Sequence, residues 1–122
     1  MTAKELNLVL VSLLPEIEQL YQDEVSWQEG DDTGAHVVYG DVLVPYIKTC
    51  AQKQDIINLS RGFDVVEHIL SLQDSYAEEV IALSVLESLM FCDELKIDIS
   101  KFFGEKTRKL YDEVKEWWES KK

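Results

Sequence analysis

The chain has 122 residues, 46% of them apolar and 10% aromatic, which excludes a disordered chain and suffices for one core without staples. Its 24 acids against 12 bases leave a net charge of −12. That balance argues against nucleic acid or an anionic membrane as partner, since both need clustered cations.

The elements are expected in this order. Thr2 followed by Glu5 reads as a capping box. The first helix then runs to about Leu14 on a stripe of Leu6, Val9, Leu10, Leu13 and Leu14. Pro15 suits the first turn of a second helix, with Ile17, Leu20 and Tyr21 inward, to about Glu24. The stretch QDEVSWQEGDDTG, punctuated by Gly30 and Gly34, reads as a surface loop. In AHVVYGDVLVPYIKTCAQ, Val37 to Tyr39 is either a short strand or the lead-in to a break at Gly40–Asp41. A helix through Val42, Leu43, Tyr46, Ile47 and Cys50 follows, with Pro45 in its first turn or kinking it.

Asp55 caps the next helix, to about Leu72, where Gly62 marks close packing. Asp74 caps a helix to Cys92 that is apolar on almost every side and so demands neighbours on more than one face. Residues 93–100 are a connector in which Leu95, Ile97 and Ile99 alternate with polar residues, a pattern compatible with a few extended residues. Phe102 and Phe103 dock as a short turn before Gly104, and an amphipathic helix runs from Glu105 to Ser120. Its paired Trp117 and Trp118 read as a lid over the core. The expected fold is all-α: one domain over residues 1–122, either a compact helical bundle or a short HEAT-like α-α stack of about five to seven helices. In the stack, residues 41–72 and 74–120 are two antiparallel helix pairs, although they share no sequence period.

The charge is unevenly distributed. Nine acids and no Lys or Arg lie from Glu5 to Ile47, and eight acids and no base from Gly62 to Leu95. The tail from Lys96 holds eight bases against six acids. Such a field favours a basic protein partner; solubility alone is the plainer reason for it. The opening apolar run is short, is broken by Asn7 and Ser12 and contains Glu5, so it is not read as a signal peptide. No run reaches membrane-spanning length, and a cytoplasmic monomer or weak homodimer is expected. Cys50 and Cys92 read as two reduced core cysteines, a disulfide or a catalytic thiol being the alternatives.

No nucleophile elbow, phosphate loop or Cys-x-x-Cys pair is present, so no catalytic residue and no cofactor are assigned. Asp64 and His68 at i, i+4 supply only two metal ligands, and the 22–34 loop lacks the alternating order of a calcium loop, so no metal is assigned either. The candidate partner-binding residues are Glu24, Trp27, Glu29, Asp31 and Asp32, then Glu78 and Glu79 at the start of the apolar helix. An aromatic ringed by acids is a natural interface anchor; the competing reading folds Trp27 back over the core. Two other functions stay open: a small metal-dependent enzyme using His36 and Asp41, and a structural subunit that dimerises through its last helix.

GAHVVYGDVLVPYI, EEVIALSVLESL and GEKTRKLYDEV resemble a family of small, acidic, helical bacterial domains of unknown function, over most of the chain from Gly34 to Val114. EVIALSVLESL also resembles the second helix of HEAT-like repeats, and helical immunity proteins that neutralise bacterial toxins. The resemblance implies an all-helical fold and, in its immunity form, a basic toxin as partner. It implies no catalytic residue.

Overall fold

The first helix, α1 (Ala3–Leu13), forms because Thr2 and Glu5 satisfy each other's backbone donors, at 3.1 and 2.8 Å, while Leu6 and Leu10 recur on one side. Pro15 ends it and opens a 3₁₀ turn (Pro15–Ile17) into α2 (Glu18–Val25), which buries Tyr21 and Val25. This computed structural model describes residues 1–121. Within them 78% of the chain is helical and no strand occurs, as the all-α expectation requires.

The expected strand or break at residues 37–41 is absent. A single helix, α3, runs over residues 35–52. It is α-helical at Ala35–Val38, widens to a π turn at Tyr39–Leu43 and returns to α at Val44–Gln52. Pro45 gives the physical reason. It lacks an N–H, and its ring would strike the carbonyl four residues back in a regular helix; a widened turn just before it relieves both problems. Gly40 and Asp41 sit inside that turn rather than ending a helix.

Helix α4 (Ile56–Ser71) is capped by Asp55, whose side chain accepts from Asn58 N at 3.2 Å. Gly62 is buried where α4 crosses α3, and a Cβ there would meet Ile47 Cγ1 at 3.4 Å. Helix α5 covers residues 75–90 behind the Asp74 cap, with α segments Ser75–Val80 and Glu87–Met90 flanking a second π turn, Ile81–Leu86. That turn contains no proline; it packs against the π turn of α3. Residues 91–104 form a connector without a strand, closed by a 3₁₀ turn (Ile99–Phe102). Helix α6 (Glu105–Glu119) ends the described fold.

The core is one cluster drawn from all six helices, with α3 and α5 contributing most of it. Tyr39 is fully buried, and its hydroxyl donates to Leu6 O at 2.7 Å, tying α3 to α1. Both cysteines are free: Cys50 is buried, which pushes its thiol up, and Cys92 is half-buried.

Going up α5, Glu78 lines a depression with Lys106 and Leu83 lines one with Val114, and just past its end Phe91 meets Trp118 edge-on, so α5 and α6 run side by side in the same sense. The connector returns the chain along a helix of roughly 22 Å. The second antiparallel pair of a two-hairpin stack is therefore not formed, and the bundle alternative describes the molecule. Helix α5 has neighbours on more than one face, as its apolar composition demands, with α3, α4 and α6 all packed against it; one side stays open, where Leu83 is 49% exposed, and Phe91 just past its end is 60% exposed.

Candidate functional site

The acidic 24–32 segment is more ordered than a plain surface loop. Helix α2 reaches Val25, and a 3₁₀ turn (Gly30–Asp32) follows. Gly30 has φ +59°, a left-handed conformation that glycine takes without penalty. Thr33 is buried; its hydroxyl donates to Gly30 O at 2.7 Å and accepts from Glu29 N at 3.2 Å. Two longer-range ties hold the segment to the core. Asn7, fully buried on α1, donates to Asp31 O at 3.0 Å and Thr33 O at 2.7 Å. Tyr21, 1% exposed, donates its hydroxyl to Asp31 Oδ1 at 2.7 Å. Burial and the Asp31 carboxylate both raise the Tyr21 pKa, so it remains a donor at any physiological pH.

On this frame Trp27 is 73% exposed. The alternative that folded it back over the core is overturned. Leu20 on α2 is a second exposed apolar side chain, 49% exposed, seven residues earlier in the chain. Glu29 and Asp32 are exposed, while Glu24 and Asp31 are half-buried. Glu24 accepts from Gln28 Nε2 at 2.6 Å and stands beside Asp41 of α3. Burial, then the charge and hydrogen bonding of Asp41, raise its pKa above the usual carboxylate range. Two like charges are thus held together at the edge of the Trp27 surface.

Glu78 and Glu79 are exposed in the first turns of α5, on elements other than those that build the loop. Glu79 Oε2 lies 3.4 Å from His36 Nε2, and His36 Nδ1 lies 2.6 Å from Ser84 Oγ in the π turn of α5. The imidazole ring meets Tyr76 edge-on at 6.0 Å. His36 therefore joins α3 to α5, whereas Asp41 joins α3 to Glu24. The two residues of the enzymatic alternative are drawn to different partners. Asp64 and His68 share a shallow depression with Arg61 and Leu13. A guanidinium is a poor neighbour for a bound cation. Among the described residues no group of three or more His, Cys, Asp or Glu is placed to hold a metal.

Two features escaped the sequence reading. Asn7 registered only as an interruption of an apolar run, because a side chain that anchors a backbone 24 residues away leaves no local pattern. Glu67 on α4 was given no role, yet its carboxylate accepts from Lys106 N at 3.0 Å and from Thr107 N and Oγ1, both at 2.9 Å, and so caps α6. The cue was present in GEKT: Gly104 at the N-cap has no side chain, so the cap must come from elsewhere.

No helix among the described residues is long and apolar enough to cross a membrane. Comparison with curated proteins and with solved structures gives no match. Residues 7–119 match a family described as "Domain of unknown function (DUF7674)". That match covers nearly the whole chain, and the protein belongs to the DUF7674 family.

Proposed function

We propose that this protein is a non-catalytic binding domain that docks a basic protein partner on the surface around Trp27. The observation that carries the reading is Trp27 itself: the aromatic is 73% exposed on a segment pinned to the core by Asn7 and Tyr21. Leaving a tryptophan in water forgoes burial worth a few kcal/mol. A rigid support removes most of the ordering cost of docking. The acids around it supply the complement of a cationic surface and speed encounter. The Glu24–Asp41 pair fits the same role, since a cationic partner relieves its repulsion. In its sharpest form the partner is a toxin with a basic substrate cleft, and the domain is its immunity protein in a bacterial host.

The test is affinity capture from the native host, comparing the wild type with Trp27→Ala and with Glu29→Lys/Asp32→Lys, positions that make no side-chain bond to the core. Retention of one basic protein by the wild type, with loss in both variants and weakening in high salt, is the expected result. Equal capture by all three proteins overturns the loop assignment. A toxin-like reading frame beside the gene supports the immunity form; a metabolic operon counts against it.

A further inference from the structure

A second open surface lies between α5 and α6. Their facing sides leave a trough rather than a closed seam. Its middle comprises two depressions of about 360 and 250 Å³ that share Leu83 and Leu110 as floor. Ala82, Val114 and Trp117 complete the apolar lining, with Leu83 49% and Trp117 52% exposed. Among the described residues, every charged one lining these two depressions is a glutamate: Glu78, Glu79, Glu87 and Glu113. Among the described residues, lysines line the ends, Lys106 and Lys109 beside Glu105, and Lys115 and Lys121 beside Phe91.

We propose that this trough is a docking groove for a short basic amphipathic helix. The inference rests on the binding-domain reading for the sign of the partner's charge, and adds a different face and the form in which the partner binds. The floor from Leu110 to Trp117 extends about 10 Å, the length of two helical turns, and a base reaches it only at its far end, where Lys121 Nζ stands 5.0 Å from the centroid of the Trp117 ring. A helix laid there would place apolar side chains at i, i+3 or i+4, and i+7 over Leu83 and Trp117, the helix-in-groove mode of recognition. Lys or Arg on its flanks would meet the four glutamates. A second copy of this chain would bring its own glutamate-lined trough against this one, and like charges across an interface are repelled. An acidic or neutral helix would leave the glutamates without partners as their surroundings dry.

The test uses a fluorescein-labelled fourteen-residue probe with Leu at the groove-facing positions and Lys on the flanks. A companion replaces each Lys by Glu. Anisotropy titrations with the whole protein should show the lysine probe binding and the glutamate probe not binding. Leu83→Gln and Glu87→Lys/Glu113→Lys alter exposed or rim positions, and each should weaken binding by about tenfold or more. Trp27→Ala should leave it unchanged. Amide shifts at Leu83 and Trp117 in a heteronuclear spectrum should locate the probe. Equal binding of both probes, or wild-type binding by the groove variants, overturns the proposal. Loss with Trp27→Ala alone assigns the probe to the loop and overturns the groove while leaving the loop reading intact. Dimerisation in sedimentation that Leu83→Gln abolishes names a second copy as the occupant, and also overturns it.

Discussion

Asn7 shows how much one buried polar side chain can determine. Its amide takes the carbonyls of Asp31 and Thr33, so the turn that presents Trp27 keeps a fixed place on α1. Asn7→Leu keeps the number of side-chain heavy atoms and the branch point, at a larger volume, but leaves both carbonyls without their donor. It should cost about 1–3 kcal/mol in urea unfolding and, if the loop is the docking surface, weaken partner capture without touching an exposed residue. Glu24 gives the opposite case. Its pKa is raised by burial and by Asp41, so its effect on folding is favourable at low pH and is lost as pH rises through the folded value. At neutral pH the pair is a small net cost. Glu24→Gln should therefore stabilise the protein at pH 7 by about 0.5 kcal/mol or less, and the gain should vanish near pH 4. Thermal melts of both proteins across that range decide it; a variant less stable at pH 7 would show that the pair is not repulsive.

At the scale of elements, the capping rules found the starts of three of the six helices, α1, α4 and α5. Thr2 with Glu5, Asp55 and Asp74 are all used as their sequence context implied. Those signals are local, which is why they are legible. Helix α6 departs from the pattern because its cap crosses 39 residues of chain from Glu67 to Lys106. Burial pushes the Glu67 carboxyl up, but the N–H groups of Thr107 and Lys106 and the Thr107 hydroxyl outweigh it and hold the pKa below its ordinary value. A depressed folded value means the cap acts above the ordinary glutamate range and is lost as pH falls through the folded pKa. Glu67→Ala should cost about 1–2 kcal/mol at pH 7 and much less near pH 3, read by chemical denaturation at both. Gly104→Ala tests the same contact from the other side, because a Cβ there would overlap the Glu67 carboxyl group. It should weaken α6 docking by about 1–3 kcal/mol, with faster hydrogen exchange in α6 but not in α1.

For the whole molecule, the charge was legible from composition but its geometry was not. The sequence showed base-free stretches. Only the fold divided their acids between the Trp27 surface and the α5–α6 trough, because which acids share a face depends on helix direction and crossing. In isolation the net charge of −12 opposes compaction, so the melting temperature should rise by a few degrees between about 10 mM and 300 mM NaCl. A flat response would show the acids already balanced within the fold. The widened turns at Tyr39–Leu43 and Ile81–Leu86 have a consequence of another kind. Val42, Leu43 and Val44 are three consecutive buried residues, which one straight helical stripe does not provide; the buried side shifts around the axis at that point. Each widening acts as an angular offset of about 100° between the parts of the rod on either side. Removing the single residue Gly40 would cancel one offset and turn His36 and Tyr39 away from Ser84 and Leu6. The aim of the N-terminal third of the protein relative to the rest is thus set by a count of residues, which makes a one-residue deletion there more damaging than any substitution at the same place.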